Sequence, residues 1–455
     1  MHQHKTLKLA LALGLILSFA GCADNTETVS EDSPVTAETA QASDADTAEE
    51  TAETTAFITE ESITVKETYT DSSDESHALL VEGETAEYSG ILVEKTGDAD
   101  GDEADFYGTN AAVFVTDQGT LTVTDSIIKT NGKHANAVFS YGEGSTVRVS
   151  NSYIETEGNC SGGLMTTGGG TTVADNLTVL THGNSSAAIR SDRGGGTVIV
   201  TNGSYTTEGV GSPVIYSTAD ITVNDAVLTS KASQGVVVEG KNSVTLNNVT
   251  LNADNNTKNS NHSSYYQAVM IYQSMSGDAD EGLSSFTMNG GTLTNQNGDI
   301  FFVTNTTTEI YLTDVSIVNN DSEGVFLRAD AAGWGNDGSN GGKVTLYASG
   351  QSITGDILVS DISGLNLYLK DGSSLESSVN EDNTGASVYV EMDEDSIWTL
   401  TGDSYISSLT CNEDSIQLNG YSLYIDGVLY QEGTASQGTA FSFESSSSGS
   451  HSHRR

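Results

Sequence analysis

Proline is almost missing from this chain, with two among 455 residues. Proline removes a donor from a β-ladder, so its scarcity leaves the whole chain open to stacked central strands. Basic residues are also few: 17 Lys and Arg stand against 63 Asp and Glu, a net charge of −46. Such a surface repels phosphate backbones and excludes nucleic acid as a partner. It disfavours anionic membranes and anionic polysaccharides as well, unless a divalent cation bridges the two. Helical periodicity is lacking after residue 20, and no later apolar run is long enough to span a bilayer. Membrane attachment, if any, must therefore come from lipid.

What the chain does contain is glycine, 48 of them, and a repeat. Lines beginning Asn136-Ala-Val-Phe, Gly162-Gly-Leu-Met, Ala187-Ala-Ile-Arg, Ser212-Pro-Val-Ile and Gln234-Gly-Val-Val stack on one another with a period of about 22 to 26 residues. Each line passes a polar turn to a second short run (147–149, 171–173, 198–200, 221–223, 244–246). Each then reaches an Asx position: Asn151, Asp175 or Asn176, Asn202, Asp225, Asn248 and, further on, Asp314. That period lies in the range of solenoid repeats. It predicts an all-β fold, a parallel β-helix of roughly ten or more coils. Asx residues tolerate the left-handed bend such a coil needs, and stacked they would form a side-chain ladder. In this winding Cys160 and Cys411 lie some tens of Å apart, because coils rise only ~4.8 Å each. Both are expected to be isolated, packed thiols.

Taken in order, residues 1–21 have the form of a secretory signal: His2, His4, Lys5 and Lys8, then the apolar run Leu9–Ala20. It ends in Ser18-Phe19-Ala20-Gly21-Cys22, which resembles a bacterial lipobox and implies lipidation at Cys22. Residues 22–56 are Thr, Glu, Ala, Asp and Ser without aromatics and cannot bury a core. They predict a disordered acidic tether, with a reach on the order of 30 Å or more. The β-helix is expected over 57–430, with 57–95 as N-terminal cap or first coil and looser coils after Asp371. Residues 431–455, rich in Ser and Gly, are expected to form a disordered tail.

Candidate chemistry is sparse. Asp98, Asp100, Asp102 and Asp105 are spaced so that they could share a calcium ion through oxygen ligands, although Gly101 is not placed as in an EF-hand. Three long loops break the period, at 252–266, 274–285 and 329–342, and insertions of this kind often carry binding. On the first strand of each coil, period two points one column outward: Phe114, Phe139, Met165, Arg190, Ile215, Val237, Met270, Phe302, Phe326 and Leu358. Two residues further on come Tyr141, Asp192, Glu239 and Tyr272. A stripe this apolar is either covered or used as an aromatic track for sugar rings or a partner protein, with Phe139, Tyr141, Tyr272, Phe302 and Phe326 as the contacts. For hydrolysis, Asp192 and Glu239 form the best carboxylate pair, two coils or ~10 Å apart, near the separation of an inverting glycosidase. Arg190 and Arg193 flank Asp192 and are expected to hold its pKa down, which suits an ion pair better than an acid catalyst. In a lyase, Arg190 or Arg193 would be the group that takes a proton.

The segments Tyr107-Gly-Thr-Asn-Ala-Ala112, Ser186-Ala-Ala-Ile-Arg-Ser-Asp-Arg193 and Val238-Glu-Gly-Lys-Asn-Ser-Val244 resemble the right-handed, pectate-lyase-like β-helix superfamily. Within it they are most similar to adhesin-like surface lipoproteins of bacteria, over most of residues 88–430. The resemblance implies a fold and a surface setting but no settled activity, since this fold serves lyases, hydrolases and adhesins alike. Three readings follow. The first is a lipid-anchored, monomeric binder of glycans or proteins at the outer face of a bacterial membrane. The second is a tethered polysaccharide lyase or glycosidase. The third is a passive spacer or coat.

Overall fold

The computed structural model describes residues 57–101 and 103–443, and in them the expected winding is present throughout. From Leu79 to Val359 each coil contributes one strand to an eleven-stranded sheet that runs from Leu79–Glu82 to Ile357–Val359. Pairing is parallel and in register from coil to coil, as in Leu164↔Ile189 and Val236↔Val269. The rest of most coils enters a larger sheet of twenty-one strands bent at the Asx column, and from Ser352 on a separate four-stranded sheet takes the part after the bend. Asp125, Asn151, Asn176, Asn202, Asp225, Asn248 and Asp314 all adopt φ between 49° and 59° there. The choice between Asp175 and Asn176 falls to Asn176. The expected side-chain ladder exists: Asn176 donates to Asn151 at 2.9 Å and Asn248 to Asp225 at 2.8 Å.

One continuous hydrophobic core fills the interior, from Leu79 through Val113, Val138, Leu164 and Ile189 to Leu365 and Val390. Two further features fix the stacking. Serines at one corner bond the preceding coil's backbone, with the amides of Ala135, Ser161 and Ser186 donating to Ser161, Ser186 and Ser212 at 2.8–2.9 Å. Glycines 132, 158, 183 and 209 lie over one another so closely that a Cβ on any of them would sit 1.9–2.0 Å from the preceding coil's carbonyl oxygen. No side chain fits there.

The N-terminal end takes the second of its two expected forms, and the C-terminal end differs from expectation. Residues 67–95 form a first full coil rather than a separate cap: strand Glu67–Asp71 pairs with Ile91–Lys95, and Leu79–Glu82 with Val113–Thr116. At the other end the hairpin Leu423–Ile425/Val428–Leu429 supplies the antiparallel pair that closes the stack. Residues 431–443, expected in the tail, run back along the larger sheet. Ser436 bridges Cys411, and Asn366 holds both the amide and the carbonyl of Phe441. Cys411 is a free, buried thiol, as expected. Cys160 is disulfide-bonded instead of isolated: the rise of the coils excludes a bond to Cys411 but not one to a cysteine outside them. Cys22, the tether and the tail from 444 lie outside the described residues, as does Asp102.

Candidate functional site

The outward face of the eleven-stranded sheet carries the column Leu80, Phe114, Phe139, Met165, Arg190, Tyr216, Val237, Met270, Phe302, Arg328 and Leu358. Two coils differ from the sequence reading. Ile215 and Leu327 point inward, so Tyr216 and Arg328 take the outward places assigned to Ile215 and Phe326. Phe326 is a core residue, edge-on to Phe301 at 5.6 Å.

Most of this face is roofed. The short helix Glu103–Tyr107 lies over its first part: the Phe106 carbonyl accepts a hydrogen bond from Thr167, and Tyr107 meets Tyr141 edge-on at 5.9 Å. Over the middle, the three long loops close down. Tyr265 covers Phe302 at 5.4 Å, and Trp334 packs edge-on against Tyr272 at 5.0 Å and stacks on His262 at 5.2 Å. Arg193 ties helix to loop, its guanidinium 3.7 Å from the Phe106 ring and 2.6 Å from Asp278. Phe139, Met165, Tyr272 and Phe302 are consequently sealed, at 0% exposure. The open aromatic track is thereby excluded for Phe139, Tyr272, Phe302 and Phe326; Tyr141 is only half-buried, but its ring is engaged by Tyr107 and Phe114.

Two polar clusters sit beneath the roof. In the first, Arg190 reaches Asp192 at 2.7 Å and Asp105 at 3.8 Å, and Asp105 also lies 3.2 Å from the His134 imidazole. All four are buried. Two carboxylates thus share one guanidinium in a site without solvent. Burial pushes the Asp192 carboxyl up to about 7, against the pull of Arg190 and of the Arg193 amide. This corrects the expected downward shift. Arg193 turns its charge away to Asp278, leaving burial to outweigh a single arginine. In the second cluster Glu239 accepts hydrogen bonds from Tyr216, Tyr272 and Ser274. Burial raises its carboxyl, which these three donors oppose. The crevices beside the clusters, lined by Gly211, Pro213, Tyr216, Gln234 and Met270, hold about 10 to 20 Å³ each, room for little more than one water. Neither Asp192 nor Glu239 borders them. The pair is thus placed to join roof to sheet, without a space in which a sugar could meet both.

The proposed calcium acids also part company. Asp98 and Asp100 are exposed, and Asp98 accepts the Lys133 amide at 2.7 Å, whereas Asp105 turns under the roof to Arg190. Among the described residues the three do not gather around one point.

Where the roof ends, a groove opens. It measures about 170 Å³ and is lined by Tyr265, Arg328, Asp330, Leu358, Ser360, Asn380, Asp382 and Thr384. Arg328 lies 4.0 Å over the Tyr265 ring and is anchored to Asp299 at 2.6 Å. Asp330 accepts from the Tyr265 hydroxyl at 3.2 Å. Its floor is Leu358 and its far wall the loop 380–384, whose Asp382 and Thr384 are exposed. Of these residues, the sequence pattern marks Tyr265 and Asp330 as parts of two long loops and Leu358 as outward-facing. Asn380, Asp382 and Thr384 fall where the repeat degrades, and no periodic signal marks them.

Strand topology alone makes this chain a parallel β-helix. Residues 89–251 match the family described as right handed beta helix region, and the parallel winding continues past both limits of that match. No curated protein and no solved structure matches the chain.

Proposed function

We propose that this β-helix is displayed at a bacterial cell surface and binds a neutral glycan in the groove between Tyr265 and Asp382. The observation that carries the reading is the groove itself: a concave site with one aromatic ring, one aliphatic floor and carboxylate, amide and hydroxyl groups converging on it. Sugars present both apolar ring faces and hydroxyls, and such a lining answers both. Two carboxylates, Asp330 and Asp382, can accept hydrogen bonds from sugar hydroxyls, and the charge of −46 argues against an acidic polysaccharide. Binding without turnover is favoured because the buried carboxylates are committed to roof contacts. Among the described residues no helix is long and apolar enough to cross a membrane.

Presenting the purified chain to an array of neutral and acidic glycans tests it. Retention of neutral glycans, lost in Asp382→Ala and kept in Asp98→Ala, is the expected result. An array that retains only acidic glycans, or none, would remove the proposal. Globomycin-sensitive processing tests lipidation at Cys22; because a thioether there excludes a disulfide to Cys160, a Cys160 thiol that alkylates only after reduction would rule the lipid out.

A further inference from the structure

Away from the roofed sheet, a second constellation stands on the edge of the larger sheet. Glu157, His182 and Glu208 follow directly after parallel strands on three successive coils. The His182 amide bonds the Thr156 carbonyl and the Glu208 amide the Thr181 carbonyl, both at 2.9 Å, so the three side chains leave the coil at equivalent points. Glu155 lies two residues before Glu157 on the same face of its strand.

The imidazole is held from both sides. His182 Nδ1 lies 2.7 Å from Glu208 Oε2, and Glu208 is in turn fixed by Lys231 at 2.7 Å. With the proton on Nδ1 donated to Glu208, the Nε2 lone pair faces Glu155 Oε1 at 3.4 Å and Glu157 Oε1 at 4.0 Å. That atom is shielded from solvent and makes no hydrogen bond. Lys129 occupies only the other oxygen of Glu155, at 3.2 Å. The three inward-facing atoms lie within 4.8 Å of one another.

We propose that Glu155, Glu157 and His182 form a binding site for a zinc-like divalent cation, with Glu208 as the positioning residue that sets the imidazole tautomer. Zinc takes imidazole nitrogen and carboxylate oxygen at roughly 2.0–2.2 Å in tetrahedral array, which puts two ligands about 3.4 Å apart. Glu155 and His182 already stand at that separation. Glu157, half exposed, stands 4.0 Å from the imidazole nitrogen and closes in by a side-chain rotation. Water completes the fourth position. A carboxylate behind a ligating histidine is the usual supporting arrangement, and Glu208 supplies it. The acidic surface concentrates cations around the site.

The test is Zn²⁺ titration of the purified, chelator-treated full chain by calorimetry, with Co²⁺ absorption as a second reading. One equivalent should bind, with a Co²⁺ spectrum of nitrogen and oxygen ligands. Affinity should fall at least 100-fold in His182→Ala and about 10- to 100-fold in Glu208→Gln. Glu157→Gln, at a half-exposed position outside the core, keeps the fold intact and should lose at least 10-fold. No uptake of either ion by the wild-type chain would overturn the assignment. So would uptake that is equally tight in His182→Ala and Glu157→Gln, which would locate the ion elsewhere, for instance at His451 and His453.

Discussion

Along a single sheet, two stretches of the same outward column meet different fates. From Phe114 to Phe302 the side chains are mostly apolar and lie under a helix and three loops. From Arg328 onward the roof is gone, and the side chains around the column turn polar. The contrast shows that an apolar outer stripe on a solenoid need not be a binding surface. It is the signature of a second, thinner core, with Trp334, Tyr265 and Phe106 as its other half. Binding capacity lies where that second core stops.

Removing the roof's anchor should have the largest effect. Trp334→Ala, at a site only 3% exposed, should cost about 3–5 kcal/mol and release the loop 329–342, read as a lower melting temperature and faster hydrogen exchange in that loop. Phe139→Ala should cost nearly as much in stability and leave glycan retention unchanged, whereas an open-track account demands the reverse. Next comes pH. The Asp192 carboxyl is raised from 3.8 to about 7 by burial, so the folded state holds its proton more tightly than the unfolded chain. Its contribution is complete below about pH 4 and is lost as pH rises towards 7. Chemical denaturation across that window should show a decline with pH that flattens in Asp192→Asn. Smallest in stability, and decisive for function, is Asp382→Ala. It should shift unfolding by less than about 1 kcal/mol, as expected of an exposed side chain, and abolish binding in the groove.

Much of the fold was legible from residues alone, because a solenoid repeats its physics. Apolar pairs at fixed spacing gave the core columns, and the Asx positions gave the bend. The register failed at two coils for a definable reason. In Pro213-Val-Ile-Tyr216 and Val325-Phe-Leu-Arg328 apolar residues occupy both faces, so period two cannot choose between them. In the first of these the serine corner chooses: Ser161, Ser186 and Ser212 each precede the inward residues Leu164, Ile189 and Ile215 by three, whereas Gly324 stands at that place before Leu327. The site was less legible. Whether a stripe is roofed depends on where long loops fold back, a tertiary choice that local pattern does not record. Burial likewise decided the direction for Asp192, which sequence neighbours alone had pointed the other way. Asp382 and Thr384 lie beyond the regular repeat, and only the closing coils bring them opposite Tyr265.

The most direct test of the roof uses the chain's own methionines. Met165 and Met270 lie on the covered column at 0% and 1% exposure, while Met275, on a covering loop, is 45% exposed. Brief hydroxyl-radical labelling of the native chain, read by mass spectrometry, should oxidise Met275 at least ten times faster than Met165 and Met270. Comparable rates at all three would mean that the column lies open, and the division of this sheet into a roofed half and a binding groove would be wrong.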